Sequence, residues 1–359
     1  MSHRIPTRSL RSANAGSQGF TLLELMISVS ILSIVVVGVF ESLTRQHRTS
    51  IVTESVVEVQ NNVRAIASLM EREIRMSGYM VPDAAAVCGV DDNDAPDELF
   101  ISETEPIVPD DARAGDMGAR LAAGAGAWSN PTINASNPYA STSFDVDLDS
   151  TTSDLDGDGA LFYDNDGDGT NDSDFRVGGG FILADMANPG RGTLCGHITA
   201  ATATDLTLVP MAGALAALVA SDAEEEIVVV PAARYAVNAA TGTGQLERNG
   251  DLLAQGVDDF QISYFFDVDD DGVVDAATAE EPGTKDGNAY DPANWNNGDL
   301  KEVRFTIVVR TRAADQQFDD GSFVVKENRT DPGAGNDGFR RRVLVGSVRP
   351  RNVGNAGSI

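Results

Sequence analysis

Gly19-Phe20-Thr21-Leu22-Leu23-Glu24-Leu25-Met26, with the apolar run that continues it to Phe40, decides how the rest of the chain reads. Before it lies a leader that carries Arg4, Arg8 and Arg11 and no acid. After Gly19 the residues are apolar apart from small polar interruptions at Ser28, Ser30 and Ser33, and apart from one carboxylate, Glu24. The run is long enough to cross a bilayer core. An acid inside such a span is costly, so Glu24 is a functional candidate by default.

The octapeptide and its surroundings resemble the N-terminus of type IV prepilins and of type II secretion pseudopilins. The resemblance implies a sequence of events. A prepilin peptidase cuts between Gly19 and Phe20 and methylates the new N-terminus, so Phe20 becomes residue one and Glu24 residue five. Glu24 then pairs with the N-terminal amine of a neighbouring subunit during assembly. The physics agrees, since an ammonium and a carboxylate in lipid are each expensive alone and offset one another when they meet.

Outward from this stretch, residues 1–19 read as leader, 20–44 as the transmembrane half of a long helix and 45–78 as its amphipathic half. Val52, Val56, Val59, Val63, Ile66 and Met70 recur at alternating steps of four and three, while Glu54, Glu58, Arg64, Glu71 and Arg72 take the other side. Ser77-Gly78 ends the pattern, and Pro82 follows. Residues 79–359 read as a β-rich head. The fold class is α+β and pilin-like: a long N-terminal helix packed on an antiparallel sheet that bears acidic loop insertions. Residues 112–143, rich in Ala, Gly, Ser and Asn, read as a long loop, and 145–174 as an Asp-rich insertion.

Short β signals follow: Phe181 to Leu183, Leu206 to Val209, Ile227 to Val230, and a hairpin of Arg234–Val237 with Gln245-Leu246 around Thr241-Gly242-Thr243-Gly244. Phe260, Ile262, Tyr264 and Phe266 alternate with Asp259, Gln261 and Ser263. Val303, Phe305, Ile307 and Val309 alternate with Arg304, Thr306 and Arg310. Both read as half-buried antiparallel strands. A last strand covers roughly 341–348, and Arg340-Arg341-Arg342 reads as its outer face. Arg75-Met76-Ser77-Gly78-Tyr79, Leu253 to Val257 and the closing Val348-Arg349-Pro350-Arg351-Asn352 are similar to corresponding patches of PilW-like minor pilins.

The chain has 359 residues and a formal net charge of -29. With a basic leader, the acid lies in the exported part. That excludes nucleic-acid binding by the head, which would need a basic face. The basic leader fits retention on the cytoplasmic side of the inner membrane, single-pass, with the head in the periplasm. Assembly into a pilus would carry the head outside the cell. Cys88 and Cys195 are the two cysteines. In an exported protein they read as one disulfide, with two buried thiols as the alternative. A zinc site needs more ligands than Cys195, His197 and the distant His3 and His47 supply.

Two segments carry aspartates at positions one, three, five and nine with glycine at six: Asp164, Asp166, Asp168 and Asp172, then Asp267, Asp269, Asp271 and Asp275. The carbonyl at position seven, of Thr170 or Val273, adds an oxygen. This is the start of an EF-hand type of loop, and its hard oxygen ligands select Ca²⁺. Phe175 and Thr278 stand where the glutamate of position twelve is expected, and the flanks read as strands. Asp154, Asp156 and Asp158 make half a motif, and Asp145, Asp147 and Asp149 less. No nucleophile elbow, zincin helix or phosphate loop is present, so the expectation is not an enzyme. His197 reads as a packed or surface residue.

The resemblance therefore implies a minor pilin of the type IV pilus, acting in filament initiation at or near the tip, and the aspartate motifs add the expectation of a calcium-stabilised head. Its partners would be other minor and major pilins, the prepilin peptidase, the inner-membrane assembly platform and the membrane. The alternatives are a minor pseudopilin of a type II secretion system and, in another class, a membrane-tethered calcium-dependent adhesin or hydrolase.

Overall fold

The computed structural model describes residues 19–79, 81, 83–103, 119–120, 128–129, 143–147, 162–163, 172–173, 175–185, 193–201, 205–213, 227–239, 244–267, 271, 274, 297–315, 318, 327, 329 and 337–353. The chain falls into two units, 1–54 and 55–359. Helix α1 spans Leu22–Met76.

In the first unit the described residues are helical from Leu22 onward and expose almost every apolar side chain, including Leu22, Val37 and Phe40. Length and composition suffice to cross a membrane. The interrupting hydroxyls are satisfied within the helix. Ser28, Ser30 and Ser33 donate to the carbonyls of Glu24, Met26 and Val29 at 2.7, 2.8 and 2.7 Å. That removes the cost of carrying them into hydrocarbon.

The second unit begins within α1. Val63, Ile66, Ala67, Met70 and Ile74 are buried in its core, with Val59 packed at the margin. Val52 and Val56 are only half-buried, so the expected stripe does its packing in the last turns. Glu58, Arg64 and Arg72 stay exposed, as their spacing requires.

The strands are β1 (Val87–Val90), β2 (Glu98–Ser102), β3 (Ala119–Arg120), β4 (Trp128–Ser129), β5 (Phe144–Asp147), β6 (Phe162–Tyr163), β7 (Asp172–Ser173) and β8 (Gly180–Asp185). Then come β9 (Thr193–Ala201), β10 (Asp205–Gly213), β11 (Ile227–Asn238), β12 (Gln245–Arg248), β13 (Asp251–Gln255), β14 (Val257–Phe266), β15 (Leu300–Arg310) and β16 (Arg341–Val348). Eleven of them form one sheet in the order β1-β2-β11-β8-β9-β10-β5-β4, with β12, β13 and β3 attached to its long central strand β11 or to one another. A second sheet runs β14-β15-β16, and β6 pairs with β7. Every ladder is antiparallel.

The expected α+β architecture of long helix and antiparallel head is therefore present, with particular corrections. The head has two main sheets rather than one. The signals at Ile227–Val230 and Arg234–Val237 are one strand, β11. Pro231, which separates them in the sequence, stays in the strand: it pairs with Phe181 of β8, and its carbonyl accepts the Glu103 N–H at 2.8 Å. Residues 119–120 and 128–129 are strand, inside a stretch expected to be loop. Asp145 and Asp147, at the start of the stretch expected to be an acidic insertion, lie on β5. The Asp145 Oδ1 accepts the Thr207 hydroxyl across the ladder at 2.6 Å.

The alternation in β14 and β15 does not mean half-burial either. Asp259, Gln261, Ser263 and Thr306, on the face expected to meet water, are buried as deeply as Phe260 and Ile307. Side chains from elsewhere cover that face. Glu327 bonds Arg304 and Thr306, both at 3.1 Å, and Arg329 lies 3.9 Å from Asp259. Arg341 is not an outer residue for the same reason: it pairs with Asp258 and Asp337, and its side chain is 6% exposed.

Candidate functional site

The N-terminal motif builds a cap before it builds anything else. The Thr21 N–H and hydroxyl both donate to Glu24 Oε2 at 3.0 Å, and the Glu24 N–H returns a bond to Thr21 Oγ1 at 3.3 Å. This is a reciprocal capping box, and the T-x-x-E spacing is its sequence signal. It places the Glu24 carboxylate at the start of α1, where the helix dipole also favours a negative charge. Residues 1–18 lie outside the described residues.

The far end of α1 is locked to the head. Gly78 has φ +75, which closes the helix in a left-handed turn, and the Tyr79 N–H reaches the Met76 carbonyl at 3.1 Å. Glu73 accepts the Tyr235 hydroxyl at 2.6 Å and Arg248 Nε at 3.1 Å, and Arg248 also holds Glu103 at 2.6 Å. Burial and then the Glu73 charge push the Tyr235 hydroxyl up, so it stays a neutral donor. A cleft of about 250 Å³ lies over this network, between Arg72 and Met76 of the helix and Ile101 and Ala233 of the sheet.

Cys88 and Cys195 form a disulfide. His197 is half-buried on β9; burial and then the nearby Arg234 charge pull its imidazole below the ordinary value. No carboxylate or hydroxyl partner to its Nδ1 occurs among the described residues.

Of the two acidic motifs, Asp164, Asp166, Asp168 and Thr170 lie outside the described residues. Asp172 begins β7, which pairs with β6 in the register Tyr163↔Asp172, so the strands that flank the first loop are joined. In the second motif Asp269, Val273 and Asp275 lie outside the described residues. Asp267 follows β14 directly, is 1% exposed, and accepts the Asp271 N–H on Oδ1 at 3.1 Å. Among the described residues no three acids or histidines gather into a metal-ligating group.

Sequence reasoning missed the role of the turn between β1 and β2. Asp97 bridges the sheets: its N–H donates to the Phe260 carbonyl and its Oδ2 accepts the Ile262 N–H, both at 2.8 Å. Nothing in the local pattern of Asp91 to Asp97 distinguishes that aspartate from its acidic neighbours.

Residues 14–40 match the family described as the prokaryotic N-terminal methylation motif, and residues 223–352 match the family described as type IV pilus-assembly protein W. No curated protein matches the chain. Among solved structures the chain is similar to a type IV-like pilin from Thermus thermophilus at 15% identity, over 49% of this chain and 89% of that one, with a TM-score of 0.21. An overlay that loose carries no argument, and the fold stands on the elements above. The two family matches, one at each end of the chain, support a type IV pilus minor pilin, and the N-terminal one runs into the first turns of α1.

Proposed function

We propose that this chain initiates or extends a type IV pilus from a position at or near the filament tip, and that its mechanism is assembly rather than catalysis. The observation that carries the proposal is the Thr21–Glu24 cap at the head of an apolar, exposed helix. Cleavage after Gly19 converts the Phe20 amide into an amine. Both Thr21 groups use Glu24 Oε2, which leaves the carboxylate a second oxygen with which to take the amine of an adjacent subunit. A charge pair of this kind selects subunits in axial register, because either charge alone is expensive in lipid. The head lies in the periplasm until the helix is extracted.

Calcium is the second part of the proposal. The donor set is all oxygen: Asp164, Asp166, Asp168, Asp172 and the Thr170 carbonyl, and Asp267, Asp269, Asp271, Asp275 and the Val273 carbonyl. The Asp267–Asp271 bond is the turn such a loop makes between its first and fifth positions. When bound, the ion neutralises carboxylates that otherwise repel one another.

Replacement of Glu24 with Ala or Val tests the assembly reading. The variant should be cleaved and stay in the membrane, yet be depleted from sheared pilus fractions. Normal incorporation would overturn the charge-pair mechanism.

A further inference from the structure

The sheet β14-β15-β16 has two edges, and they differ. That of β14 is filled: the Asp97 N–H donates to the Phe260 carbonyl, and Asp97 Oδ2 accepts the Ile262 N–H. That of β16 pairs with no strand among the described residues. An open edge presents a row of backbone donors and acceptors, which proteins guard with a bulge, a proline or a lysine. β16 carries none of these. Its eight residues run in unbroken register from Arg310↔Arg341 to Val303↔Val348. Val343 and Val345, on one face of the strand, are 37% and 55% exposed.

The charge at this edge is opposite to that of the chain. Residues 340–351 hold five arginines and no acid, in a chain of net charge -29. Arg340 is engaged with Asp315, and Arg341 with Asp258 and Asp337. Arg342 and Arg349 are exposed, and neither meets an acid among the described residues. Glu302 accepts the Ser347 hydroxyl. We propose that β16 is the docking edge for an extended acidic segment of another protein, which joins the sheet as a fourth strand. The guest backbone takes the outer N–H and C=O groups of β16, its apolar side chains cover Val343 and Val345, and acids near its ends meet Arg342 and Arg349. Those arginines lie about 23 Å apart along an extended strand, which sets the guest at about eight residues. A second copy of the chain fits poorly. In the antiparallel register that uses the whole strand, Arg342 of each copy faces Arg349 of the other, and like charges directly opposite destabilise a ladder.

The test is fluorescence anisotropy on the full chain in detergent at low salt, with labelled octapeptides that alternate valine and threonine between two charged end residues. The peptide with glutamate ends should bind the parent at least about fourfold more tightly than the one with lysine ends, as two exposed charge pairs require. Arg342→Glu with Arg349→Glu should reverse that preference, which a misfolded variant could not do. A glutamate-ended peptide with proline in place of each valine cannot extend a ladder and should not bind. Equal binding of the glutamate-ended and lysine-ended peptides, or full binding of the proline peptide, would overturn the proposal. A parent that binds neither charged peptide would overturn it too, and a dimer in sedimentation that Val345→Lys dissociates would then assign the edge to a second copy.

Discussion

Arg351 donates its backbone N–H to the Arg75 carbonyl at 3.1 Å, across nearly the whole chain. Next to it, the Asn352 side chain donates to the carbonyls of Met76 and Ser77 at 3.2 and 3.5 Å. The closing Val348-Arg349-Pro350-Arg351-Asn352 is thus the C-terminal cap of α1, filling carbonyls that no helical partner can reach. Asn352→Ala should lower the stability of the chain by about 0.5–1.5 kcal/mol. Gly78→Ala should cost more, because a Cβ there meets Val353 Cγ2 at 2.8 Å on a backbone with φ +75. Thermal melting of the two variants checks the order.

The processing prediction concerns Gly19. The peptidase must approach the backbone closely, and a charged side chain at that position should block it. Gly19→Asp should retain the leader, as read by intact mass. A mature N-terminus at Phe20 in that variant would remove the prepilin assignment.

The disulfide should be worth much of the stability of the head. Cys88 and Cys195 are 107 residues apart, and closing such a loop stabilises by about 4–5 kcal/mol in the chain-entropy account. Non-reducing peptide mapping should find the two linked. Cys88→Ser with Cys195→Ser should melt far below the parent, and equal melting would show that the bond constrains nothing.

Burial pushes the Asp97 carboxyl up to about 8; the Asp92 and Ile262 N–H bonds oppose this, and the charges of Asp91 and Asp259 add to it. A carboxyl raised in the folded state binds its proton more tightly there than in the unfolded chain. Its contribution is therefore fully present below the ordinary value near 3.8 and is lost as pH rises through about 8. Asp258 and Asp259, raised first by burial, act in the same direction. The melting temperature should fall between pH 6 and pH 9 by more in the parent than in Asp97→Asn, which stays neutral throughout. Parallel curves would mean that Asp97 ionises without cost.

Calcium should raise the melting temperature of the full chain in millimolar concentration relative to chelator. One site at 100-fold excess over its dissociation constant adds about 2.7 kcal/mol. Mg²⁺ should do less, because it gives up its water reluctantly. Asp166→Ala with Asp269→Ala should abolish most of the difference, and identical melting in the parent would leave both loops as solvated acid.

The sequence by itself determined what is local. The apolar run, the stripe from Val63 to Met70 and the stop at Gly78 each depend on residues within a turn or two, so their spacing reports them directly. The strands that alternate cleanly were legible for the same reason. Two cysteines leave a single intramolecular pairing, so that bond was legible too.

Only the tertiary structure decided how the sheet bends. Cross-strand partners share a face, and the registers Cys88↔Phe100, Phe100↔Arg234, Ala232↔Gly180 and Ile182↔Cys195 put both cysteines on one face of the sheet. In strand order they are four steps apart, about 19 Å in a flat sheet at 4.8 Å per step. Their Cα atoms lie 6.2 Å apart, so the sheet curls until β1 returns to β9. The opposite face, with Leu99 and Tyr235, meets Glu73 of α1. Curvature comes from accumulated twist and from what packs on each side, and no window of sequence contains either. The buried polar layer of Asp259, Gln261 and Thr306 has a related cause: the alternation marked β14 and β15 as strands, but Glu327 and Arg329, which cover the face expected to meet water, come from a separate part of the chain.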